Sequence, residues 1–218
     1  TTGYLAEDST GEMKFGSLTI ASGGTYTATP LTTTITAKTS DNYGIKGGGI
    51  FIHNNGEVKV DGSGGAGTAY RFPVGATYYD LTIDGAEPFY LYSTAVGDAT
   101  TGNSGGATID GTANAQYTSI LGTLKINDRG FVPYNSHKVF VNNLIIGDNT
   151  DSANATNFDF SDNDVFDGVV IVNNVLINAD GQLKFGDGDE TSATEGSSAL
   201  EIRGAFRNLG GANGVIIT

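Results

Sequence analysis

The sequence predicts an all-β protein: a β-solenoid of the parallel β-helix kind with inserted loops, with an antiparallel β-sandwich or jelly roll as the alternative. Three observations predict it. First, a strand–turn–strand phrase recurs. It reads Val175, Ile177, Gly181, Leu183 in one copy, and Leu18, Ile20, Gly24, Tyr26 in another. Further copies are Ile50, Ile52, Gly56, Val58 and Leu124, Ile126, Gly130, Val132. Second, glycine makes up 33 of the 218 residues, yet β-branched and aromatic residues return regularly between the glycines, which disordered Gly/Ser-rich chains lack. Third, no stretch repeats apolar residues at i, i+3, i+4, i+7, so little or no long helix is expected, and β-α-β folds are disfavoured. Phrases recurring every roughly 20 to 45 residues suit coils with inserted loops. Irregular spacing also suits a sandwich; the repeated phrase favours the solenoid.

Residues 1–15 are mixed and polar, and the first clear strand begins near Gly16. Thr25, Thr27 and Thr29 then alternate with Tyr26 and Ala28, which places one set of side chains inward and the other outward. The segment 31–36 continues the pattern. Asn55-Gly56 is a strong turn dipeptide, because both residues tolerate positive φ. A glycine-rich corner follows at 61–69, then an aromatic region at 70–92. The chain reads as a single all-β domain over 1–218, and an internal boundary, if there is one, falls near 97–106 (GDATTGNSGG). Segments 138–146 and 168–177 are a close pair, each with an Asn-Asn in its middle: Asn142-Asn143 and Asn173-Asn174. These pairs either stack as amide ladders at a corner or serve as turn residues for their φ/ψ freedom. An acidic insertion, 148–167, separates the two. The final segment Val215-Ile216-Ile217 is apolar with no capping element after it, so a neighbouring subunit or further polypeptide is expected at that edge.

The formal net charge is −13, with only 11 Lys and Arg, so the basic stripe that nucleic-acid binding needs is missing. Attraction to an anionic membrane surface is disfavoured for the same reason, and no run of about 18 apolar residues offers a membrane-spanning helix. The acidity fits solubility in salty extracellular media and weak divalent-cation binding. Without cysteine, stability rests on packing and hydrogen-bond ladders. The start Thr1-Thr2-Gly3 has neither an initiating Met nor a signal peptide, so the chain is expected to be a processed product or a segment of a longer one.

GGIFIHNNGEVKVDG (48–62) and YYDLTIDG (78–85) resemble repetitive β-rich exterior proteins: phage tail and fibre structural proteins and bacterial adhesin-like β-solenoids. Phe51, His53, Asn54, Asn55, Gly56 and Val58 carry the first phrase of that group, with Val60 in place of an aromatic. Tyr79, Leu81, Thr82 and Ile83 carry the second, and the strand–turn–strand of 18–28 is similar to the same group. The resemblance covers about half of the chain by repeat logic. It implies an extracellular, virion or cell-surface structural role with self-assembly, and it carries over no catalytic residue.

Candidate chemistry lies where the phrase is interrupted. Asp162, Asp164 and Asp167, with Asp159 and Asn163 beside them, form one oxygen-rich cluster; Asp187, Asp189 and Glu190 form another. Calcium takes such ligands from loops, although Asp162, Asp164 and Asp167-Gly168 miss the EF-hand spacing by one residue, and a solvated acidic loop is the competing reading. No other cofactor is expected. Some β-helices cleave polysaccharides with paired carboxylates, which for inversion stand about 6.5–9.5 Å apart. The carboxylates of 159–167, or Asp84 with Glu87, are the candidate pairs. Carboxylates are plentiful here, so a polysaccharide hydrolase or lyase is the alternative and a non-enzymatic protein the expectation. His53 and His137 lack metal-ligand spacing; His53 is expected to hydrogen-bond at its corner. No G-x-S-x-G elbow supports a serine nucleophile. The threonines of 25–36 fall in one place rather than in successive coils, so an ordinary exposed strand is expected, not an ice-binding array. Tyr70, Phe72, Tyr78, Tyr79, Phe89, Tyr90 and Tyr92 either pack the core or offer a sugar platform or subunit interface. Asn154-Ala155-Thr156 has the glycosylation pattern. The sequence therefore leads to a structural module of a virion fibre, tail or shell or of a cell surface, forming a homo-oligomer or polymer, with a receptor or glycan as its further partner.

Overall fold

The structure, a computed structural model, describes residues 11–21, 23–38, 42–47, 49–62, 70–73, 77–85, 89–92, 117–128, 130–132, 138–150, 156–159, 169–185 and 199–217. Every strand pairing among them is parallel. The chain is a β-solenoid and not an antiparallel sandwich. The sole helical turn among the described residues is the 3-10 segment Gly211–Asn213.

The coil is three-sided, and the chain visits its faces in a fixed cycle. Face I stacks Met13–Phe15, Thr32–Ile35, Glu57–Val60 and Asp80–Ile83. It continues through the second halves of Tyr117–Ile126, Lys138–Ile146 and Val169–Ile177 and ends on Phe206–Asn208. Face II stacks Leu18–Thr19 on Ile45–Lys46, then Tyr70–Pro73, Phe89–Tyr92, Gly130–Val132, Thr156–Asp159, Gly181–Phe185 and Val215–Ile217. Face III stacks Thr25–Thr27, Ile50–Ile52, Thr77–Tyr78, the first halves of the three long strands, and Ala199–Ile202. Met13–Phe15 corrects the expectation of a polar lead-in, since it pairs with Thr33–Ile35 as a full rung.

Residues in register on face I show the coil lengths. Met13, Thr33, Val58, Leu81, Leu124, Leu144, Val175 and Phe206 align, giving steps of 20, 25, 23, 43, 20, 31 and 31 residues. Loops of different length are therefore absorbed without loss of register. The longest step contains 97–106, which lies outside the described residues; strands pair across it, Leu81 with Leu124 and Phe89 with Phe131.

The repeated phrase turns out to be a corner-turning unit, used at all three corners. Leu18 to Tyr26 turns from face II to face III, Ile50 to Val58 from III to I, and Leu124 to Val132 and Val175 to Leu183 from I to II. One copy also has the opposite phase. Leu18 and Ile20, Leu124 and Ile126, and Val175 and Ile177 point inward, whereas Phe51 is buried and its neighbours Ile50 and Ile52 face out. A shift of one residue reverses every side chain on a strand, so equal spacing did not mean equal orientation.

Inside, like residues stack on like. Ile35, Val60, Ile83, Ile126, Ile146 and Ile177 form one fully buried column of face I. Each such side chain contributes about 2 kcal/mol of burial. Through the interior runs a spine of aromatic rings: Phe15, Tyr26, Phe51, Tyr78, Phe72, Phe89, Phe131 and Phe158, with successive centroids 4.7–6.3 Å apart. It starts at Phe15 on face I, follows face III from Tyr26 to Tyr78 and crosses to face II at Phe72. Beyond Phe158 the column continues as Leu183 and Val215. Phe206 stands in the inward column of face I yet is 46% exposed, because it belongs to the last described rung of that face.

Candidate functional site

The side-chain hydrogen bonds between coils lie at the corners and along the outside of face I. At the corner between faces III and I the long strands bend without breaking, and their ladder skips between Ile120 and Thr123. Asn142-Asn143 and Asn173-Asn174 occupy this bend. Asn173 Nδ2 donates to Asn142 Oδ1 at 2.9 Å, and Asn174 Nδ2 donates to Asn143 Oδ1 at 3.0 Å. The inner ladder continues in both directions: the Ala205 amide donates to Asn174 Oδ1 at 3.1 Å, and Asn143 Nδ2 approaches the Gly122 carbonyl at 3.5 Å. Below it, the Thr123 amide donates to Asp80 Oδ1 at 2.6 Å. Of the two readings open in the sequence, amide stacking is what these pairs do.

One rung lower the same corner is built differently. Asn54 and Asn55 take φ of 47° and 58°, and the Gly56 amide closes the turn on the His53 carbonyl at 2.9 Å. The Asn55 amide donates to His53 Nδ1 at 2.9 Å, which fixes the ring proton on Nε2. His53 is thus the corner hydrogen-bonder that its sequence position implied. Its ring lies against Tyr79 with centroids 5.9 Å apart, and partial burial lowers its pKa.

The corner between faces I and II carries an acidic clamp. The Asp180 carboxylate accepts the Asp148 amide at 3.2 Å and the Asn149 amide at 3.0 Å, while Asn178 Nδ2 donates to the Gly147 carbonyl at 2.6 Å. Gly147 and Asn149 both have positive φ, 86° and 66°. The Thr150 hydroxyl donates to Asp148 at 2.6 Å and is the main reason that the Asp148 carboxyl lies below its ordinary pKa. On the outside of face I, Glu57 accepts hydroxyls from Thr32 at 3.0 Å and Thr82 at 2.5 Å. Lys59 pairs with Asp84 at 2.5 Å, and that hydrogen bond raises the lysine pKa. Except for the local Thr150–Asp148 bond, each of these contacts joins one coil to the next.

The sequence-derived metal candidates Asp162, Asp164, Asp167, Asp187, Asp189 and Glu190 lie outside the described residues, as do Glu87 and His137. Asp159 ends a face II strand in register with Lys184. Among the described residues no three His, Cys, Asp or Glu side chains converge to hold a metal ion. Of the aromatic group, Phe72, Tyr78 and Phe89 are core, whereas Tyr79 is exposed. Thr25 and Thr27 are exposed on face III, and Thr33 is buried. Sequence reasoning missed the outward side of face III, where Ile52, Tyr79, Leu121 and Phe140 are 36–50% exposed. The signal was present: Ile52 and Tyr79 each adjoin a buried aromatic, Phe51 and Tyr78, and strand alternation turns them outward. No protein-family model matches the chain, and no curated protein or solved structure matches it either.

Proposed function

We propose that this chain is a non-enzymatic structural module of an exterior assembly: part of a virion fibre, tail or shell, or of a cell-surface layer, with its loops offered to a receptor or glycan. The observation that carries this reading is the corner chemistry. The Asn ladder, the Asp180 clamp and the Lys59–Asp84 pair are used in binding coil to coil. That is the economy of a quasi-one-dimensional protein, whose stability comes from nearest-neighbour contacts along an axis. The net charge of −13 suits exposure to an extracellular medium.

The test is where the chain resides. Labelled antibody against it, viewed by electron microscopy on native material, should decorate fibres, particles or a cell surface. A freely diffusing secreted protein that shortens a polysaccharide, and stops doing so when Asp159, Asp162, Asp164 and Asp167 are changed to Asn, would replace this reading with the hydrolase or lyase. Calcium held by the loops at 162–167 and 187–190 belongs to the same reading. A ligand bound only by the folded state raises the thermal midpoint, so chelation should lower it.

A further inference from the structure

We draw no further inference here: the strongest candidate, the exposed apolar patch of Ile52 and Leu121 on the outward side of face III, carries nothing because nothing in the structure shows what covers it.

Discussion

Two rungs of one corner use the same residue for different physical reasons. Asn54 and Asn55 turn the chain from face III to face I with positive φ, and the strand breaks there. Asn142-Asn143 and Asn173-Asn174 occupy the same corner within unbroken strands, without positive φ, and act through their side-chain amides. In the first case asparagine is chosen for its backbone, because it tolerates the left-handed region. In the second it is chosen because an amide both donates and accepts, so it can repeat up a stack indefinitely. The lower corner closes its turn within one coil, and only the Asn54 amide reaches further, donating to the Ala28 carbonyl of the coil below at 3.1 Å. The upper corner is a propagating device that works only if the next coil supplies its partner.

The sharpest way to break the comparison is through the glycines that let coils approach. A Cβ at Gly56 would sit 2.0 Å from the Thr29 carbonyl oxygen and 2.6 Å from that of Leu31, both backbone atoms of the coil below. At Gly122 the nearest obstacle is the Asp80 side chain, at 2.3 Å, with backbone no closer than 3.0 Å. A side chain can rotate away where backbone cannot. Gly56→Ala should therefore cost about 3 kcal/mol and Gly122→Ala about 1 kcal/mol, read as denaturant midpoints at unchanged slope. Equal losses would mean that both corners are equally deformable.

An exchange of Asn for Gly separates the two roles directly. At Asn55 glycine relieves a φ of 58° and removes no side-chain hydrogen bond, so Asn55→Gly should fall within about 0.5 kcal/mol of the parent. At Asn174 the same exchange removes the donation to Asn143 and the acceptance from Ala205, and adds chain entropy to the unfolded state. Asn174→Gly should cost about 2 kcal/mol. If the order were reversed, the ladder would be ornament and the φ assignment mistaken.

The same contrast shows where the sequence was legible. Alternation at Leu124-Lys125-Ile126 or Thr32–Ile35 gives the inward set, because a strand with one buried face has period two. The phrase also revealed that coils stack. Which corner each copy turns was hidden, since three similar sides give three similar strand–turn–strand signals. The inverted phase of Ile50-Phe51-Ile52 was hidden as well, because an all-apolar triplet has no polar member to mark the outward side. Two Asn-Asn dipeptides look identical until it is known whether the strand breaks. Met13–Phe15 went unread because its partner rung among the described residues lies a full coil later. The candidate metal residues fall in the interruptions of the phrase and lie outside the described residues.

A smaller effect distinguishes the aromatic part of the core from the aliphatic part. Tyr78 is fully buried within the ring spine, and its hydroxyl has no hydrogen-bond partner among the described residues. Burial also pushes its pKa far upward, since the phenolate would be desolvated. The aligned residues of later coils, Ile120, Val141 and Val172, carry no polar atom to bury. Tyr78→Phe keeps the ring contacts to Phe51 and Phe72 and removes the desolvated group, so it should raise stability by about 1 kcal/mol. A loss of stability instead would show that the hydroxyl is satisfied within the fold.

The smallest effect belongs to the His53 corner and depends on pH. Burial lowers the pKa of His53 from its ordinary 6.5. The hydrogen bond from the Asn55 amide to Nδ1 demands the neutral ring too, because a protonated Nδ1 has no lone pair to accept it. The folded state therefore takes up its proton at lower pH than the unfolded chain does. The stabilisation is fully present above the unfolded value, and it is lost as pH falls from there through the lowered folded pKa. The Asn143 and Asn174 amides do not titrate and have no such window. Thermal midpoints at about pH 7.5 and about pH 5.5 should thus fall further for the parent chain than for His53→Asn, whose side chain can still accept the amide through its oxygen. A His53→Asn chain with the same acid slope as the parent would move the pH sensitivity to the carboxylates. The positive-φ corner would then be as indifferent to protons as the ladder above it.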